Sequence, residues 1–189
     1  MLNNIFKDSI ISVISIKTAA EYDNIFQSYL SYSFDENTVI FTDHYSLLQN
    51  KEKYNSIYSI CNWDDVLSKL KDIHNKTIFI DVYYDNIAIV KKIGRNSNYL
   101  GISDTIKDVY SLCMTNNLNI VFISQNGSAN TNRNNYYQLL QMCDLWIEYD
   151  SIHKDIFIKK TRYFSSNIFL NVLHWKNKLR KKKIQKLLK

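Results

Sequence analysis

The chain is expected to fold as an α/β domain around a mostly parallel central sheet, flanked by helices and closed by an antiparallel edge. Three observations predict this. Short β-branched apolar runs recur along it, among them SIISVISI (9–16), TVIFT (38–42), TIFIDV (77–82) and NIVFIS (119–124). Several are separated by stretches whose apolar residues return every three or four positions, the period of an amphipathic helix. Strands alternating with helices need crossover connections, and such connections build parallel sheets covered on both faces.

The elements follow in order. Residues 9–16 form a buried strand, and Lys17 and Thr18 stand at its junction with a helix carrying Ala19, Tyr22, Ile25, Phe26, Tyr29 and Leu30. A turn at 35–37 leads to a strand over 38–42, and residues 58–61 offer a short third one. WDDVLSKLKDI (63–73) is an amphipathic helix with Asn62 as its N-cap, and residues 74–76 turn the chain into the strand 77–82. The glycine-bearing stretch 91–101 reads as a mobile loop. Ser103 or Asp104 caps the next helix, and Asn117 suits its C-terminal end. After the strand 119–124, QNGSANTNRNN (125–135) reads as loop. A short helix over 136–142, strands over 145–149 and 155–160, and a further strand over 167–173 complete the body.

Composition sets the outer limits. At 189 residues the size prior favours one domain with a real core, expected over residues 1–175. Proline is absent and glycine occurs three times, while Asn, Ile, Lys and Tyr abound, as an AT-rich genome (viral, organellar or low-GC bacterial) would encode. No apolar run approaches the ~20 residues that cross a bilayer, and no secretory signal is read. Cys61, Cys113 and Cys143 fit neither a disulfide framework nor a zinc site, so a reducing intracellular compartment (cytoplasm, nucleoid or viral replication site) is expected. His44, His74, His153 and His174 have no paired spacing, which leaves no metal site to propose.

Charge is unevenly spread. Residues 176–189 carry eight basic side chains and no acid, leaving 16 basic against 18 acidic residues in the first 175. The net charge of +6 therefore belongs to the C-terminal segment. Lys176, Lys178, Arg180, Lys181, Lys182, Lys183, Lys186 and Lys189 can hold phosphate backbones by salt-sensitive attraction. The same segment can equally be a solvated helix resting Leu179, Ile184, Leu187 and Leu188 on the body.

The second half, with IKDVYSLCMTNNLNIVFISQ (106–125) and LQMCDLWIEYDSIHKDIFIKKTRYF (140–164), resembles the nucleotide-binding core of RecA-like ATPases, in the recombinase and bacterial replicative helicase branch. The resemblance spans most of residues 9–170. It implies a RecA-like fold and a vestigial nucleotide site. Lys17 and Thr18 fall where the phosphate loop would end, Asp81 where a magnesium-associated acid closes its strand, and Gln125 where a polar sensor closes the next. Asp43 or His44 stands in place of the water-activating glutamate. Lys160 and Arg162 match a K-x-R pair that reaches a neighbouring subunit, and Arg133 lies in the stretch that corresponds to a DNA-contacting loop. The phosphate loop itself departs from the pattern. It needs G-x-x-x-x-G-K-[ST] so that backbone N–H groups wrap phosphate, whereas Ile11 and Ile16 occupy the glycine positions here.

The expectation is a RecA-fold protein without ATP hydrolysis that serves as a DNA-associated accessory factor in replication, recombination or genome handling. It would contact nucleic acid through the basic segment and bind a RecA-fold ATPase or a second copy of itself. No cofactor is expected, and ATP with magnesium enters only if the degenerate site works. Two alternatives stay open: a nucleotide-binding enzyme with a non-standard phosphate loop, and a structural or viral assembly protein.

Overall fold

A computed structural model describes residues 3–6, 9–16, 36–42, 56–59, 63–81, 100–125, 140–150 and 155–162, with Leu173, Asn177 and Lys181. Its strands are β1 (Ile11–Ile16), β2 (Thr38–Phe41), β3 (Ile57–Tyr58), β4 (Thr77–Asp81), β5 (Asn119–Gln125), β6 (Leu145–Asp150) and β7 (Asp155–Thr161). The helices are α1 (Asn3–Phe6), α2 (Trp63–Leu70) and α3 (Leu100–Asn116), and residues 140–142 add a helical turn before β6.

All seven strands join one sheet in the order β3-β2-β4-β5-β1-β6-β7. Every pairing is parallel except β6 with β7, which is antiparallel with an irregularity between Trp146 and Ile147. The mixed sheet with an antiparallel edge agrees with the sequence. β1 is an interior strand beside the central β5, Val13 pairing with Phe122 on one side and Trp146 on the other. All six of its residues are buried, as a strand covered on both faces requires.

Strand alternation sorts the core into two faces. Ile11, Val13, Val39, Phe41, Ile78, Ile80, Ile120 and Phe122 share the face on which Val66 and Leu70 of α2, Val109 and Cys113 of α3, and Leu140 and Cys143 pack. Ile14, Ile16, Ile40, Phe79, Val121 and Ile123 fill the other. There Phe6 of α1 meets Phe79 edge-to-face with ring centres 5.9 Å apart.

The helix ends are tied by asparagines. Asn117 adopts φ 53°, and Leu118 N–H donates to Cys113 O at 2.9 Å, the closing bond of a left-handed helix stop. Asn116 Nδ2 donates to Leu70 O and Lys71 O at 3.0 and 3.1 Å, satisfying carbonyls at the end of α2. Asn75, at φ 56°, accepts from Asn117 Nδ2 at 2.8 Å, which joins the two turns.

Several boundaries differ from expectation. α2 stops at Leu70 because its carbonyls turn to Asn116. α3 already includes Leu100 and Gly101, so Ser103 and Asp104 lie inside it rather than capping it. A glycine in a helix costs only about 1 kcal/mol, which a long helix absorbs. β1 begins at Ile11 rather than residue 9, since Ser9 N–H returns to Phe6 O and closes a turn after α1. Gln125 ends β5 rather than opening the loop. Leu173, expected to end a strand, is helical, as are Asn177 and Lys181 at four-residue spacing. The expected helix within 19–30, the mobile loop over 91–99 and most of the basic segment lie outside the described residues.

Candidate functional site

Because β1, β2, β4 and β5 are parallel, their carboxyl ends meet at one edge of the sheet. The chain leaves β1 toward β2 on one side and leaves β5 toward β6 on the other. The β1/β5 boundary is therefore a topological switch point, where open α/β sheets place their ligand crevice.

Asp81 closes β4 at this edge, only 1% exposed. Thr42, directly after β2, donates its hydroxyl to Asp81 Oδ2 at 2.7 Å. A short bond to a buried carboxylate satisfies a charge that would otherwise be costly. Gln125 closes β5 in register with Ile16 of β1, so two expected polar strand ends, Asp81 and Gln125, stand on one edge. Lys17 and Thr18 follow β1 directly, but they lie outside the described residues with Asp43, His44 and Arg133.

A second polar group stands on the opposite face of the same edge, and the sequence reading missed it. Ser124 of β5 pairs with Ser15 of β1, and Ser15 pairs with Glu148 of β6. All three are buried. Trp146 donates its indole N–H to Ser15 Oγ at 2.8 Å, while Ser15 donates to Ile147 O at 3.4 Å. Lys159 Nζ lies 3.2 Å from Glu148 Oε1. Ser124 Oγ has no hydrogen-bond partner among the described residues. Serine and glutamate inside apolar strands were the available signal, since a buried strand of an α/β sheet otherwise carries apolar side chains.

Lys160 and Arg162 belong to a different place. β7 runs antiparallel, so its last residues lie at the amino edge, beside Asp144 and the start of β1. Five residues of strand at ~3.3 Å each put roughly 17 Å between that edge and the Asp81 edge. Asp144 Oδ2 accepts the N–H groups of Ile10 and Ile11 at 3.0 and 3.1 Å. Arg162 Nη1 lies 3.5 Å from Asp144 Oδ1, and its Nη2 donates to Gln141 O at 3.3 Å. Lys160 Nζ donates to Leu140 O at 2.8 Å and also to Gln141 O. Both cations thus cap the helical turn 140–142, as basic residues do at helix C-termini.

Two thiols lie near this cluster. Burial pushes Cys113 up to about 12, with the nearby Asp144 charge adding to the effect. Burial raises Cys143 to about 11, against a lowering pull from Lys160. Both therefore stay protonated at neutral pH, the state of an inert core thiol rather than a nucleophile.

Among the described residues, no three His, Cys, Asp or Glu side chains gather where they could hold a metal ion. No described helix is long and apolar enough to cross a membrane. Of the basic segment, Lys181 is described, and it is helical and exposed. No protein-family model matches the chain, and no curated protein matches its sequence.

Proposed function

We propose that the chain is a RecA-fold accessory protein that does not hydrolyse ATP, holds DNA through its basic C-terminal segment and docks on a partner. One observation carries the reading of a lost ATPase. β1 stays in the sheet through Ile16, paired with Gln125 on one side and Tyr149 on the other. A phosphate loop needs free backbone N–H groups ahead of the helix, whereas residues 12–16 lie in strand pairing on both sides and Ile11 gives its N–H to Asp144. Both expected glycine positions are isoleucines in extended backbone, a residue type that reaches positive φ only at high cost. Asp81 further engages Thr42.

The DNA-binding half rests on charge. Eight cations without an acid in 14 residues form an electrostatic footprint separate from a body of net −2. The experiment is fluorescence anisotropy of a generic DNA oligonucleotide at low and moderate salt. It compares the native full-length chain with a full-length form in which the eight basic residues are glutamines. The expected result is affinity that falls steeply with salt and is lost with the charges. Equal binding by both forms, or none by the native chain at low salt, would refute the proposal.

A second reading draws on the convergence of Thr42, Asp81 and Gln125 at the switch-point edge. On it, the chain binds a nucleotide through a non-standard loop around Lys17 and Thr18, and magnesium-dependent ATP binding is the distinguishing property.

A further inference from the structure

We draw no further inference here: the strongest candidate, the buried Ser124–Ser15–Glu148 row on the face opposite Asp81 at the carboxyl edge of the sheet, carries nothing, because Glu148 already meets Lys159 and nothing among the described residues shows what covers the Ser124 hydroxyl.

Discussion

The Ile11 N–H donates to the Asp144 carboxylate at 3.1 Å, joining two residues 133 positions apart. Asp144 N–H returns to Ile11 O at 2.7 Å, and Arg162 N–H donates to Asp144 O at 2.8 Å. One aspartate thus fixes the starts of β1 and β6 and receives the end of β7. Polar atoms here do what apolar packing cannot: they set the register of three strands.

Asp144→Ala should destabilise the protein by about 2–4 kcal/mol, because it strands the Ile10 and Ile11 donors in a largely buried setting. Asp144→Asn keeps an acceptor oxygen and should cost less. Urea unfolding checks both, the midpoint falling while the slope stays constant.

Thr42→Val removes the hydroxyl donor to Asp81 and should cost about 1–3 kcal/mol, since Asp81 remains buried. Thr42→Ser keeps the donor and should recover most of the loss. Comparable losses for both variants would show that the methyl group, not the hydrogen bond, matters.

Cys113 and Cys143 should resist iodoacetamide in the folded protein at pH 8 and react once urea unfolds it. Both pKa values are raised from an ordinary 9.0, to about 12 and about 11. The unfolded chain then loses these protons first as pH rises. Their contribution to stability is fully present below about pH 9 and is lost as pH climbs through the folded values. Urea midpoints measured across that range should fall, and Cys113→Ala should flatten the decline.

Magnesium and ATP together should leave the thermal unfolding midpoint where it is, because a ligand stabilises only a fold that binds it. An upward shift that Lys17→Ala abolishes would establish a working nucleotide site and favour the second reading.

Much of the sheet was legible from local pattern. The runs at 38–42, 77–82, 119–124, 145–149 and 155–160 each gave a strand, within one residue at either end. Asn117 was legible as a helix stop because asparagine tolerates the left-handed backbone found there. The start of α2 at Trp63 was legible too, but that of α3 was not: Ser103 and Asp104 offer caps, yet the described helix already includes Leu100. For the candidate site, Asp81 and Gln125 could be read as strand-end residues. Their common edge was expected only through the family resemblance, and the Ser124–Ser15–Glu148 row could not be read at all, since it exists only because three strands from distant parts of the chain lie side by side.

By itself the sequence determined where most of the described strands form, that the helix-bearing sheet is mostly parallel, and how charge divides between body and C-terminal segment. Those properties follow from period and composition within short windows. Only the tertiary structure decided that β1 sits between β5 and β6. It also decided that Thr42 satisfies Asp81 and that Lys160 and Arg162 work at the far edge of the sheet. Strand order and register come from pairing between residues more than a hundred positions apart, and no local period encodes which strand will be the neighbour.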